Sequence, residues 1–375
     1  MKRLQEQDIQ DDLNEKMVFL SGPRQVGKTT LARACAAAWP SMTYLNFDAD
    51  RDRRVILQET WDRESPLVIF DEVHKLKQWK RKLKGIYDTE GIPPRILVTG
   101  SARLTLYRRG GESLAGRYLL HRLYPFSVRE LRGTAPPAEL LENLLRFGGF
   151  PEPFLAQSEK RAARWRKQHL ERIVREDVQD LEPVRDIQTM LLLIDLLRAR
   201  VGSPISMASL ARDLELSPHT VKKWIHTLEH MFVCFVVTPY HRNIARAILK
   251  EPKIYFFDTG AVLGDDGARL ENTVAVSLLK HLHYLEDSAG KDVRLCYLRD
   301  KEGREVDFMT MVDRRIESLV EVKTGDTRCA KSLKYYHERL QPRQSIQLVR
   351  KLSRTLSEQG IAIRPAADWL DTLSI

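Results

Sequence analysis

A glycine-rich stretch near the start of the chain has the residue types and the spacing that phosphate binding requires. Residues 22–29 read G-P-R-Q-V-G-K-T, after an apolar run and before a run of strong helix formers. This is the G-x-x-x-x-G-K-[ST] motif in the strand-to-helix context that it needs. The glycines let backbone N–H groups curl around a β-phosphate, and the positive end of the helix dipole adds to the attraction. Lys28 is therefore expected to reach the β- and γ-phosphates, and the Thr29 hydroxyl to ligate Mg²⁺.

Two acids and two hydroxyl residues at the ends of later apolar segments complete the expected ATP site. Asp71 and Glu72 follow the run P-L-V-I-F at 66–70. Asp71 would give Mg²⁺ a second anchor, and Glu72 would orient the attacking water. Thr99 and Ser101 end a later run and are candidates for sensing the γ-phosphate, although hydroxyls also commonly cap turns. The predicted nucleotide-binding residues are Gly22, Pro23, Arg24, Gln25, Val26, Gly27, Lys28, Thr29, Thr30, Thr99 and Ser101.

One further cation near this site, Arg117, lies in the segment S-L-A-G-R at 113–117. It fits an arginine finger that reaches the nucleotide of a neighbouring subunit, which would require a homo-oligomer. A surface salt bridge explains it equally well, so both roles stay open.

Strand-like and helix-like segments alternate around these residues. The runs at 66–70 and 95–99 are apolar without alternation, as strands buried on both faces are. Residues 42–47 alternate like a strand, and residues 51–61 and 75–87 have helical spacing. The alternation predicts an α/β fold with a parallel sheet covered on both sides.

Length and composition limit the classes of protein to which this chain can belong. A chain of 375 residues is too long for one ordinary core, so several domains are expected. The formal net charge of +10 favours a polyanionic partner such as nucleic acid, although a merely soluble basic protein has the same balance. The four cysteines lack C-x-x-C spacing and are expected to be free thiols in a reducing cytoplasm. No apolar run reaches membrane-spanning length, so no membrane partner is expected.

After a linker at 132–137, R-G-T-A-P-P, the pattern becomes helical and later mixed. Residues 209–214 and 220–231 predict a helix–turn–helix, with Ser217 as N-cap and Pro218 as the first helical residue. A strand-like run at 232–239 follows, as in a winged helix. The predicted domains are an ATPase at 1–133, a helical lid at 134–202, a winged helix at 203–250 and an α/β domain at 251–375.

The last predicted domain has its own cluster of acids. Segments 306–312 and 316–323 flank a turn at 313–315. If the hairpin is symmetric about Arg314, Asp307 lies opposite Glu321, with Cβ atoms about 5 Å apart, and Lys323 projects from the same face. Opposed carboxylates repel unless a cation lies between them, so a divalent metal ion is predicted, with Glu271 as a third oxygen ligand. Lys323 would then hold or deprotonate an attacking water.

Several of these motifs together resemble prokaryotic ATPases of the AAA superfamily, close to the archaeal-type ATPases. They are residues 22–29, F-D-E-V at 70–73, T-G-S at 99–101, L-A-G-R at 114–117 and L-Y-P-F-S at 123–127. The resemblance covers nearly the whole chain and implies an ATPase module, a winged helix and a C-terminal domain of restriction-endonuclease type.

The C-terminal acids also resemble the D…E-x-K arrangement of the PD-(D/E)XK nucleases. Glu271, Asp307, Glu321 and Lys323 occupy the matching positions, with Val306 where some members have proline. The resemblance implies a metal-dependent nuclease. A silent fold that is kept for binding DNA or protein is the alternative.

The predicted helix–turn–helix offers a surface for DNA. His219, Thr220, Lys222 and Lys223 would face outward from its second helix, and the helix at 160–175 carries further basic residues. The expected function is therefore ATP hydrolysis coupled to DNA binding, with a nuclease-like C-terminal domain. The alternatives are an ATP-gated regulator that binds DNA without cutting it, and a switch whose partner is a protein.

Overall fold

The computed structural model describes residues 3–100, 114–178, 186–241 and 251–374. The chain divides into two compact units, Met1–Tyr124 and Pro125–Ile375. The domain boundaries expected at 133, 202 and 250 stay predictions.

The first unit contains a five-stranded parallel sheet. Its strands are β1 (Met17–Ser21), β2 (Thr43–Asn46), β3 (Leu67–Asp71), β4 (Arg95–Thr99) and β5 (Tyr118–Arg122). Its helices are α1 (Glu6–Asp12), α2 (Lys28–Cys35), α3 (Asp50–Gln58) and α4 (Trp79–Glu90). The strand order is β2-β3-β4-β1-β5, and every neighbouring pair is parallel. The predicted parallel sheet is confirmed, and β5 is a strand that the sequence pattern did not indicate.

Burial explains why two of these strands lack alternation. Every residue of β3 is buried, as is every residue of β4 except the half-buried Arg95, so both faces of these strands are covered. Because the strands are parallel, their carboxyl ends lie at one edge of the sheet. Asp71 is opposite Thr99, and Thr99 is opposite Leu20 at the start of the glycine-rich loop. The order of the strands therefore gathers the residues expected to bind nucleotide.

The second unit combines helices with an eight-stranded mixed sheet. Its helices are α5 (Pro137–Phe147), α6 (Pro151–Ala156), α7 (Glu159–Arg172), α8 (Ile187–Arg198), α9 (Met207–Asp213), α10 (Pro218–His230), α11 (Asp266–Ala289), α12 (Lys331–Leu340) and α13 (Ala366–Leu370). Its strands are β6 (Cys234–Pro239), β7 (Lys253–Phe256), β8 (Val293–Arg299), β9 (Glu305–Val312), β10 (Arg315–Lys323), β11 (Gln344–Val349), β12 (Leu356–Glu358) and β13 (Ile361–Pro365). The strand order is β12-β13-β11-β10-β9-β8-β6-β7.

The middle of this sheet is an antiparallel meander followed by a parallel strand. Strands β8, β9 and β10 pair antiparallel in sequence, and β11 joins β10 in the parallel direction. Helix α11 packs against β8, β9 and β10. Within the described ranges, no helix has the length and apolar character needed to cross a membrane.

Helices α9 and α10 form the predicted helix–turn–helix. The backbone N–H of Thr220 donates to Ser217 Oγ at 3.0 Å, and Pro218 is the first helical residue, so the predicted cap is confirmed. Strand β6 follows, pairs antiparallel with β7 and joins β8 in parallel at Thr238. The strand after α10 thus belongs to the eight-stranded sheet, and a separate winged helix at 203–250 stays a prediction.

Candidate functional site

The glycine-rich loop leads from β1 into α2, which begins at Lys28. Gly27, the residue before the helix, has φ +100°, in the left-handed region that favours glycine. Gly22 has φ +149°, and a Cβ there would lie 2.1 Å from the backbone oxygen of Leu123. Both glycines are therefore required by the path of the backbone, as the motif predicted.

The side chains at the start of α2 meet the end of β3. Thr29 Oγ1 donates to Asp71 Oδ2 at 2.9 Å, and the Thr99 hydroxyl donates to Asp71 Oδ1. Lys28 is 8% exposed, and its Nζ donates to the backbone oxygens of Gly22 at 3.0 Å and Pro23 at 2.6 Å. The loop thus holds an ammonium group beside a hydroxyl–carboxylate pair.

Tyr44 on β2 also belongs to this group, although no motif in the sequence marks it. Its hydroxyl donates to Asp71 Oδ2 at 2.6 Å, and burial together with this hydrogen bond raises the pKa of Tyr44 to about 12. The only indication in the sequence was the order of the strands: β2 precedes β3 and would lie beside it in the sheet. Tyr44 orients the same carboxylate that contacts Thr29.

Glu72 adopts a backbone conformation that is uncommon for a residue with a side chain, with φ +57°. Its N–H donates to the backbone oxygen of Thr99 at 3.0 Å, which fixes it at the edge of the sheet. Its Oε2 lies 3.5 Å from Lys75 Nζ and 3.7 Å from His74 Nε2. Burial raises the pKa of Glu72, while the ammonium groups of Lys75 and Lys28 oppose that rise.

The remaining loop residues differ in exposure. Val26 is fully buried, Arg24 is half-buried, and Gln25 and Thr30 are exposed. Ser101 lies outside the described residues.

Arg117 makes the salt bridge that was one of its two expected roles. Its Nε donates to Asp88 Oδ1 at 2.6 Å and its Nη2 to Asp88 Oδ2 at 3.2 Å. The hydrogen bonds from Arg117 and Lys84 lower the pKa of Asp88 to about 2. The role as an arginine finger in a homo-oligomer stays a prediction.

The groups around Asp71 fit a magnesium ion. A threonine hydroxyl and a carboxylate already lie within hydrogen-bonding distance, and oxygen atoms are the ligands that Mg²⁺ prefers. Thr29 and Asp71 would hold the ion, and the loop amides and Lys28 would face the phosphates.

The C-terminal acids are brought together by a hairpin that differs from the expected one. The turn has two residues, Asp313 and Arg314, both at positive φ, instead of three residues centred on Arg314. The pairing then shifts by one residue between Ile316 and Ser318, so that Phe308 lies opposite Val320. Continuing this register places Asp307 opposite Glu321. The one-residue bulge compensates for a turn that is one residue shorter than expected.

The centre of the acidic cluster is taken by Lys253, a residue that sequence analysis did not single out. Its side chain is 1% exposed, and its Nζ lies 3.2 Å from Glu271 Oε1, 2.7 Å from Glu305 Oε1 and 3.6 Å from Asp307 Oδ1. Although burial opposes the charge, the carboxylates of Glu271, Asp307 and Glu305 raise the pKa of Lys253 above its usual range. The local sequence around Lys253 did not indicate this position. Only the pairing of β6 with β7 and β8 brings the lysine to the cluster.

Glu321 and Lys323 form a second part of the cluster. Lys323 Nζ donates to Glu321 Oε1 at 2.6 Å, and Asp307 Oδ2 accepts from the backbone N–H of Val322 at 2.9 Å. Burial and the Asp307 carboxylate raise the pKa of both Glu321 and Glu271 to about 7. The predicted proximity of Glu271, Asp307, Glu321 and Lys323 thus agrees with the observed contacts.

The metal ion predicted between these acids does not fit the observed arrangement. Among the side chains that the structure describes, no three His, Cys, Asp or Glu residues are placed to hold a metal ion. The physical reason is that the Lys253 ammonium already lies against carboxylate oxygens of Glu271 and Asp307. The structure thus places Lys253 against Glu271 and Asp307, and Lys323 against Glu321, where a metal ion was predicted.

The basic surfaces agree in part with expectation. His219, Lys222 and Lys223 are exposed on α10, whereas Val221 and Trp224 are buried. On α7 most basic residues are exposed, but Arg166 points inward, where its Nε donates to Asp258 Oδ2 at 2.9 Å.

Comparison with known proteins adds family information to this geometry. Residues 14–132 match a family model described as an AAA domain. Residues 138–264 and 266–368 match two models described as domains of unknown function, DUF8612 and DUF4143. Among solved structures, the Holliday junction branch migration motor RuvB of Thermotoga maritima is 17% identical, with a TM-score of 0.35, over 67% of this chain and 96% of its own. The Walker-type ATPase of Pyrococcus abyssi is 17% identical, with a TM-score of 0.40, over 69% of this chain and 93% of its own.

Relatives by sequence extend across both units. Uncharacterized proteins of Mycobacterium tuberculosis and Mycobacterium bovis are each 31% identical over 302 residues, covering 78% of this chain and 67% of theirs. A protein of Methanocaldococcus jannaschii is 23% identical over 327 residues, covering 79% of this chain and 71% of its own. The chain therefore belongs to the same family as the two mycobacterial proteins, and its residues 14–132 match an AAA domain.

Proposed function

We propose that this AAA-type ATPase hydrolyses ATP with Mg²⁺ bound at Thr29 and Asp71. The observation that supports this most directly is the 2.9 Å hydrogen bond between these two side chains, beside the Lys28 ammonium. Bound Mg²⁺ would neutralise charge on the β- and γ-phosphates. Lys28 binds the same phosphates, and the hydroxyls of Thr99 and Tyr44 keep the Asp71 carboxylate oriented.

Glu72 is proposed to orient the attacking water. Its backbone is anchored to Thr99 at the sheet edge, and its partly buried carboxylate lies close to Lys75. A carboxylate fixed in this way accepts a hydrogen from water without needing to move at the moment of reaction.

Nucleotide binding and ATP turnover measured on the same variants test both roles. Lys28→Ala is expected to weaken nucleotide binding, whereas Glu72→Gln spares binding and slows turnover by on the order of 10²-fold. Glu64→Gln, a change at an exposed acid of the same unit, is the control. Equal turnover by Glu72→Gln and the wild type would remove Glu72 from the mechanism.

We further propose that the second unit binds DNA through the exposed face of α10. The capped N-terminus of this helix presents His219, Lys222 and Lys223 to solvent, and the chain has a net charge of +10. Phosphate contacts by such residues release counterions, so binding should weaken steeply as salt rises.

The salt dependence of DNA binding distinguishes this surface from the charge of the whole protein. Replacing both Lys222 and Lys223 by alanine should flatten the slope. The control replaces Lys301 and Lys331, which are also exposed, and changes net charge equally. If both double variants have the same slope as the wild type, the DNA surface lies elsewhere; no binding to any DNA would favour the switch whose partner is a protein.

We propose that the C-terminal part is a restriction-endonuclease-like domain that binds DNA without cutting it. The order α11, β8, β9, β10, α12 and β11, with Asp307 and Glu321 facing each other, supports the fold. The burial of Lys253 among the carboxylates favours binding over metal-dependent cleavage. Incubation of the full chain with several DNA forms and Mg²⁺, with and without ATP, tests this. Cleavage that is lost in Asp307→Asn would establish the nuclease instead.

A further inference from the structure

We propose that Lys253 is the built-in cation of the C-terminal carboxylate cluster and that its ammonium group excludes divalent metal ions from Glu271, Glu305 and Asp307. This deepens the proposed non-cleaving function, on which it rests, because it names what keeps the site free of metal.

The ammonium group lies where a metal ion would have to bind. Lys253 Nζ is 2.7 Å from Glu305 Oε1 and 3.2 Å from Glu271 Oε1, with Asp307 Oδ1 at 3.6 Å. A divalent cation needs the same oxygens at about 2.0–2.6 Å. The ammonium therefore competes with a divalent cation for these oxygens, and a doubly charged ion beside it would be repelled.

Lys253 has no open route away from the cluster. Its side chain is 1% exposed, and it begins strand β7, whose pairing with β6 fixes its backbone at Val237.

The carboxylates are held by partners other than the lysine. Tyr255 donates its hydroxyl to Glu271 Oε1 at 2.6 Å, and Arg299 Nη1 donates to Glu305 Oε2 at 3.2 Å. Asp307 Oδ2 is occupied by the backbone N–H of Val322. Gly202, at φ +80°, lies so close to Glu271 that a Cβ there would be 2.7 Å from Oε2. The oxygens therefore stay in place when Lys253 is replaced, and a neutral residue should open a metal site.

Mn²⁺ binding to the full chain without nucleotide, measured by calorimetry and electron paramagnetic resonance, tests the inference. The variants are wild type, Lys253→Met and Lys253→Gln, each with and without Asp307→Asn. The Mg²⁺ site of the first unit is the same in all of them, so the effect of Asp307→Asn isolates the cluster. The wild type should show no Mn²⁺ site that depends on Asp307. The neutral variants should gain about one Mn²⁺ per chain, and Asp307→Asn should remove it.

Two results would overturn the inference. One is a wild-type Mn²⁺ site that is lost in Asp307→Asn, a measurement that does not depend on whether the Lys253 variants fold. The other is a folded neutral variant that gains no Mn²⁺ site. Lys253→Arg keeps the charge and should behave as the wild type. DNA cleavage by a wild type without an Asp307-dependent Mn²⁺ site would refute the non-cleaving function and leave this inference standing.

Discussion

The nucleotide loop and the C-terminal carboxylate cluster both place a buried lysine beside acidic groups, but they use it in opposite ways. Lys28 donates to backbone oxygens within the loop, and the next residue, Thr29, donates to the Asp71 carboxylate. Lys253 contacts three carboxylates directly. Lys28 can exchange its backbone partners for phosphate oxygens. Lys253 is already paired with carboxylates of its own protein.

The two sites also differ in how far apart their residues lie in the chain. The loop and its lysine occupy eight consecutive residues, 22–29, so local backbone geometry decides their arrangement. The cluster draws on β7, α11, β9 and β10, whose contributing residues extend from Lys253 to Lys323. Its arrangement depends on strand order and on a hairpin register that one bulge can shift.

Replacing each of the two lysines by a neutral residue should have the largest effects and should separate the two sites most clearly. Lys253→Met leaves three carboxylates without their buried cation, so the free energy of unfolding should fall by about 3–5 kcal/mol. Lys28→Met should weaken nucleotide binding and lower stability by a smaller amount, about 1–3 kcal/mol, because it removes charged hydrogen bonds to backbone oxygens. Urea unfolding of both variants, with nucleotide binding measured alongside, decides. Equal losses of stability would mean that Lys28 is as structural as Lys253.

Adding a methyl group at Gly22 tests how tightly the loop is constrained. Its Cβ would lie 2.1 Å from the backbone oxygen of Leu123, so Gly22→Ala should lower the free energy of unfolding by about 1–3 kcal/mol and weaken ATP binding. Gly85 in α4 has nothing within 4 Å of its would-be Cβ. Gly85→Ala should therefore stabilise by about 0.4–1 kcal/mol and serves as the control. A Gly22→Ala protein with wild-type stability and ATP affinity would refute the steric explanation.

The pH dependence of stability tests whether the C-terminal carboxylate cluster holds a proton in the folded state. Burial and Asp307 raise the pKa of Glu321 to about 7, so the folded state holds this proton more tightly than the unfolded state. Its contribution to stability is fully present below the unfolded pKa and is lost as pH rises through about 7. Glu321→Gln should therefore flatten the decline in unfolding free energy between about pH 5 and 8, by up to about 1.4 kcal/mol per unit of pKa shift. Glu302→Gln, at an exposed acid, is the control. An identical slope in Glu321→Gln and wild type would argue against a proton held at this carboxyl.

The smallest effect on stability is expected at Arg117. Its contacts with Asp88 are partly exposed to solvent, and such pairs contribute little to stability. Arg117→Ala and Asp88→Asn should both leave the melting temperature nearly unchanged. ATP turnover separates the two roles, since an arginine finger requires the first variant alone to lose activity in an oligomer. Unchanged turnover in both variants would leave only the surface salt bridge.

Sequence alone singled out most of the residues that the structure gathers around Asp71. The motif at 22–29, the acids that end β3 and the hydroxyl that ends β4 are all local signals, because each follows a buried apolar strand. Parallel pairing then brings the ends of those strands to one edge. Tyr44 escaped notice because its role depends on the position of β2 beside β3, which no local pattern specifies.

Tertiary structure decided the chemistry of the C-terminal cluster. Spacing correctly indicated that Asp307 faces Glu321, but through a symmetric turn that the structure replaces with a shorter turn and a bulge. It gave no indication of Lys253, which lies 54 residues before Asp307 and arrives only because β7 pairs with β6, which in turn pairs with β8. Opposed carboxylates require a positive charge between them, and this requirement could be predicted from the sequence. Which cation meets it is a property of three-dimensional packing, because any basic side chain that the sheet order brings within about 3 Å of those oxygens can supply it.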